Sequence, residues 1–106
     1  MTLSTSQSEI TRLLLGSALV ADDVARTLVL RFETRQFATR KARAVFDAIR
    51  SFVSDGLSPG ELVGQLLCSR RVVEAGVTCG DLAELIHESA PIAARAYLAR
   101  RTDGER

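Results

Sequence analysis

The chain has 106 residues, 46% of them hydrophobic and 25% charged, which gives one globular domain with a single core and leaves no room for a motor or a two-domain enzyme. Its 14 basic residues face 13 acidic ones, so no strong global field draws nucleic acid or an anionic membrane to it, and any such contact must be local. The N-terminus lacks the basic and long apolar regions of a signal peptide, and no apolar run approaches the roughly 20 residues that span a bilayer, so the expected location is the cytoplasm without a membrane partner.

Ser6 and Glu9 have the Ser-x-x-Glu spacing of a capping box, which predicts that the first helix begins there. Ile10, Leu13, Leu14, Ser17, Ala18 and Ala21 define its buried face, and Leu15 and Leu19 widen that face enough to make the helix central. Gly16 costs about 1 kcal/mol relative to alanine inside a helix, so its presence predicts close approach by another helix. Asp22 and Asp23 offer a stop and a new cap. The second helix then carries Val24, Ala25, Leu28, Val29 and Phe32, with its acidic residues at the positive end.

The stretch from Gln36 to Gly56 contains the densest apolar stripe in the chain. Ala42, Val45, Phe46, Ile49, Phe52 and Val53 fall at helical spacing on one face, and Arg40, Arg43, Asp47 and Arg50 follow the opposite one. Thr39 is the expected cap and Asp55-Gly56 the stop. A fourth helix is announced by Ser58-Pro59-Gly60-Glu61, with a cap, a proline at the first helical position and a carboxylate at the third; Leu62, Val63, Leu66 and Leu67 form its buried face. Arg70 to Gly76 reads as a turn with a short helix at most. Thr78-x-x-Asp81 caps a further helix bearing Leu82, Ala83, Leu85 and Ile86. Pro91 starts the last helix, to about Arg101, whose large apolar groups are Ile92, Tyr97 and Leu98. The short β-branched runs lack the alternation of a strand. The expected class is therefore all-α, a compact bundle of five to seven helices.

Chemistry-bearing motifs are sparse. His87 is the only histidine, which excludes a histidine triad or a multi-histidine metal site, and it is expected at the surface. Neither a phosphate-binding loop nor a dinucleotide fingerprint is present, so ATP hydrolysis, a catalytic centre and a cofactor are not expected. Cys68 and Cys79 fit neither a redox pair nor a zinc knuckle and read as reduced, small apolar fillers. Lys41 is the only lysine; the predominance of arginine is as compatible with codon bias as with bidentate recognition. Arg40, Lys41, Arg43 and Arg50 form a basic face on the third helix, interrupted by Asp47. It is open to three readings: a solvated outer face, a protein contact or a nucleic-acid contact.

With the helices laid out, three segments stand in a telling order. Ser8-Glu9 precedes Leu14-Leu15-Gly16-Ser17-Ala18-Leu19; Phe37 precedes Val45-Phe46-Asp47-Ala48-Ile49 and Gly56; Asp81-Leu82-Ala83-Glu84-Leu85-Ile86 precedes Ser89-Ala90-Pro91. Together, from about Ser6 to Tyr97, they resemble the N-terminal domain of DnaB-type bacterial replicative helicases. The family commonly has His at the position of Ala42, an aromatic at Ala38 and paired glycines at Cys79-Gly80. After the counterpart of Pro91 it continues into a longer helical hairpin, a linker and the ATPase motor.

The resemblance implies one head-like domain over residues 1–106, with its core at about 6–101, an orthogonal helical bundle that retains the globular head and loses much of the family's pairing device. It would be a monomer or weak homodimer. Its expected function is a non-catalytic protein contact with replicative helicase, primase or loader in DNA replication. The surface expected to make that contact is the last helix, Ile92, Arg95, Tyr97, Leu98 and Arg100, although the same residues could equally close the core. Two alternatives stand beside it: a small DNA-binding regulator using Arg40, Lys41, Arg43 and Arg50, and a fragment of a replicative helicase. The polar ending from Thr102 to Arg106 favours a complete protein over a fragment.

Overall fold

A computed structural model describes residues 3–56 and 59–104, with side-chain surroundings for 9–56, 61 and 64–100. Every regular element among the described residues is helical: α1 (Leu3–Val20), α2 (Asp22–Arg31), a 3-10 turn (Thr34–Gln36), α3 (Arg40–Ser54), α4 (Pro59–Cys68), α5 (Arg70–Glu74), α6 (Cys79–His87) and α7 (Pro91–Gly104). The radius of gyration, 12.9 Å, is the value of a chain of this length folded around one core.

α1 is the axis of the bundle and packs on α2, α3, α4, α6 and α7. Its centre, from Leu14 to Leu19, is buried at every position, as the width of its apolar pattern predicts. Only small residues at Gly16, Ser17 and Ala18 let neighbours reach the backbone on so many sides. α3 supplies the second half of the core through Val45, Phe46, Ala48 and Ile49. Phe37, just ahead of that helix, is buried against Phe46 with ring centroids 4.7 Å apart, an aromatic pair adding about 0.5–1.5 kcal/mol beyond area burial.

The termini explain the element boundaries. The Ala42 N–H donates to Thr39 Oγ1 at 3.1 Å, making Thr39 the N-cap of α3, and Gly56 ends that segment in the left-handed region at φ +80°. At α6 the Asp81 N–H donates to Thr78 Oγ1 at 3.1 Å while the Thr78 N–H donates to Asp81 Oδ2 at 2.9 Å, the reciprocal capping box. Pro59 and Pro91 each occupy the first position of a helix, where a missing N–H costs no hydrogen bond.

Several expectations are corrected. α1 is already helical at Leu3; no proline or glycine separates Leu3 from Ser6, so the helix propagates back through Ser6 instead of starting at it. α2 has Ala21 at its N-cap without a side-chain bond, and Asp22 and Asp23 sit in the first turn. Leu67 and Ala83 are exposed, because α4 and α6 each bury a narrower stripe, centred on Leu66 and Leu82, than their composition offers. Cys68 and Cys79 are free exposed thiols, one ending α4 and the other opening α6, and neither fills the core. The proposed cap at Ser58 and the inward positions of Leu62 and Val63 lie outside the described residues.

Candidate interaction surfaces

α7 is held on the bundle by three devices. Ser17 Oγ, fully buried on α1, accepts a hydrogen bond from the Ala90 N–H at 2.9 Å and so fixes the chain one residue before the helix begins. Arg95 forms a fork on Asp23 of α2, Nε to Oδ2 at 2.6 Å and Nη2 to Oδ1 at 2.9 Å. Ala94 and Leu98 enter the core.

That docking divides the surface expected on the last helix. Leu98 is 2% exposed and belongs to the core, Tyr97 is half-buried against it, and Arg95 is committed to Asp23. Ile92 stands on the other side of the helix at 81% exposure. With Ala93, Ala96, Ala99 and Arg100, all exposed, it makes an outward face of one large apolar group, three alanines and a cation. The residues brought together are thus Ile92 and Arg100 with three alanines between them.

A second feature is a groove where α1, α3 and α6 meet. A cavity of about 200 Å³ has Leu15, Ala42, Val45, Val77 and Leu85 among its walls. Its rim carries two cross-links of opposite charge: Lys41 Nζ on Asp81 Oδ2 at 3.2 Å, and Arg12 on Glu88, Nε to Oε1 at 2.7 Å and Nη2 to Oε2 at 2.8 Å. The groove is too small for a drug-sized ligand and admits at most one apolar side chain of a partner.

These pairs set the local electrostatics. The hydrogen bond from Arg12 holds the Glu88 carboxyl below the ordinary range of a glutamate, and that from Arg95 does the same for Asp23. Asp81 is lowered first by the Thr78 N–H and then by Lys41. The guanidinium partners Arg12 and Arg95 move the opposite way, each raised by its carboxylate's hydrogen bond.

Comparison of the chain with protein-family models, with curated proteins and with solved structures finds no match. What the surfaces can do rests on their own chemistry.

Of the basic residues singled out on α3, Lys41 turns away to the groove and Asp81. Arg40, Arg43 and Arg50 remain on the outer side, where sequence patterning missed two further groups, Arg70 and Arg71 of α5. Asp47, expected to interrupt the row, instead organises it. Its side chain is only 20% exposed; one oxygen accepts from Thr34 Oγ1 at 2.6 Å and Arg50 Nη2 at 3.0 Å, the other from Arg71 Nη1 at 2.8 Å. The one signal for this in the sequence is Asp47's place among Ala44, Val45, Phe46, Ala48 and Ile49, which leaves it at the core's edge. His87 is exposed, as its position predicts. Among the described residues, no group of three or more histidine, cysteine, aspartate or glutamate side chains stands in a metal-holding arrangement, and no helix is long and apolar enough to cross a membrane.

Proposed function

We propose that this chain is a non-catalytic interaction module of the replication machinery, resembling the head of a replicative helicase and docking on the helicase, its primase or its loader in the cytoplasm. The observation that carries the reading is the double-sided character of α7. One side completes the core through Ala94 and Leu98, and the other presents Ile92 at 81% exposure on an alanine-rich face. A helix already packed on one side gains nothing in its own fold from an exposed isoleucine. Small side chains beside it let a partner helix approach closely, burying the isoleucine, while Arg100 at the edge favours partners of one polarity.

The order of landmarks shared with the helicase head supports the choice of machinery, since in that family the chain beyond this point builds the pairing device. Here the same region supplies the docking helix. The experiment is a crosslinked pull-down from the native host with tagged protein and with Ile92→Asp, a substitution confined to the outward side and checked by circular dichroism. Recovery of helicase, primase or loader by the native chain, and its loss with Ile92→Asp, is the expected result. Equal recovery by both, or of none of the three, would remove the reading.

A further inference from the structure

A second surface carries a different function, independent of the docking helix. α3 and α5 lie side by side, and the seam between them opens two adjoining depressions. The first is bordered by Arg40, Arg43 and Arg71, the second by Arg70 and Arg71 together with the hydroxyls of Ser51 and Ser69 and the half-buried ring of Phe52. Arg50 flanks them through its bond to Asp47. Five guanidiniums therefore stand over two carboxylates, Asp47 and Glu74.

The excess is concealed in the composition, where the formal net charge is only +1, because acidic groups gather elsewhere, notably Asp81 and Glu84 on α6 and Glu88 at its C-cap. The arginines are also available. Asp47 is shared between Arg50 and Arg71, at 3.0 and 2.8 Å, so one negative charge answers two positive ones. Arg43 uses only Nε internally, on the Phe37 carbonyl at 2.7 Å, and keeps its two terminal nitrogens. Arg40 makes a single long bond, 3.5 Å, to the Glu74 carbonyl, and Arg70 has no ion pair with a described residue.

We propose that the α3–α5 seam binds the sugar-phosphate backbone of a nucleic acid. Spaced, underused guanidiniums along one seam suit a repeating array of phosphates, which each planar fork can grip in bidentate fashion. The neighbouring serine hydroxyls can donate to the same oxygens. The contacts available in the seam are to phosphates, so binding is independent of sequence. Arg40, Arg43 and Arg70 are the phosphate contacts; Arg50 and Arg71 stay tied to Asp47.

The test is fluorescence anisotropy with labelled oligonucleotides of about 20 nucleotides, single-stranded and duplex, long enough to cover a site of this kind. With three phosphates neutralised, affinity should fall about 20-fold for the single strand and about 40-fold for the duplex between 50 and 200 mM salt. Arg40→Gln/Arg70→Gln, which disturbs only one long internal bond, should weaken binding about tenfold or more at the lower salt and reduce the logarithmic salt slope by about two. Arg31→Gln, an exposed arginine on α2 away from the seam, should leave both unchanged. Absence of binding at 50 mM salt, or equal affinity of the double variant and the native chain, would overturn the proposal. So would binding of an acidic peptide with no binding of either oligonucleotide, which would give the seam to a protein partner.

Discussion

A Cβ built on Gly16 of α1 would stand 1.9 Å from the carbonyl oxygen of Leu85 in α6. The obstacle is backbone inside a helix, which cannot rotate aside as a flexible side chain would. The axes of α1 and α6 are therefore set by the absence of one methyl group. Gly16→Ala should destabilise the fold by about 2 kcal/mol or more, because separating the helices outweighs the roughly 1 kcal/mol that alanine gains in helix propensity. A thermal melt should show the midpoint falling by about 10 °C; a midpoint at or above that of the native chain would mean that the contact is looser than described.

Ser17, the next residue, does a different task on the neighbouring side of α1. Removing its hydroxyl leaves the Ala90 N–H without its acceptor where α6 passes into α7. Ser17→Ala should cost about 1–2 kcal/mol in urea unfolding, and amide hydrogen exchange at Ala90 should accelerate more than exchange in α3.

Asp47 joins three elements with one carboxylate. Asp47→Asn keeps an acceptor for Thr34 but withdraws the charge shared by Arg50 and Arg71, both exposed, so the loss should be about 1 kcal/mol or less. Asp47→Ala also abandons the Thr34 hydroxyl and should cost about 1 kcal/mol more. A double-mutant cycle between Asp47→Asn and Arg71→Gln separates the ion pair from the rest, with a coupling of about 0.2–1 kcal/mol expected.

The acid limb of stability follows from Asp23, Asp81 and Glu88. All three are held below their ordinary values of 3.8 for the aspartates and 4.5 for the glutamate by hydrogen bonds from Arg95, Thr78 and Arg12 respectively. A carboxyl group depressed in the folded state contributes stability above its unfolded value and loses it as pH falls through the folded one. Melting midpoints should accordingly be insensitive to these groups above about pH 5 and fall as the solution is acidified below it. Asp23→Asn should start from a lower midpoint and show a shallower acid decline, and added salt should shrink the difference, since the pairs are exposed.

How much of this is legible in the amino-acid sequence depends on the range of the interaction. The caps at Thr39 and Thr78 and the proline starts at Pro59 and Pro91 are written within one or two turns of chain and follow from steric or hydrogen-bonding rules with few alternatives; Gly16 signals a close approach locally, but its partner, Leu85 of α6, is a tertiary neighbour. The arginine seam was only half visible, because Arg70 and Arg71 belong to a five-residue helix whose placement beside α3 is a tertiary event. Asp47 looks like a break in a basic row for the same reason: two of its three partners, Thr34 and Arg71, lie 13 and 24 residues away. On α7, composition supplied Ile92, Tyr97 and Leu98 together, and only packing could assign Leu98 to the core and Ile92 to the surface.

Docking of the outward side of α7 on a replication protein, as proposed, is tested by a calorimetric titration of the purified chain into purified helicase, primase and loader from the same host. The account predicts saturable binding to one of the three, a negative heat-capacity change from apolar burial, and loss of that binding in Ile92→Asp while Arg40→Gln/Arg70→Gln binds normally. No heat with any of the three at either of two well-separated temperatures, or undiminished affinity in Ile92→Asp, would contradict it.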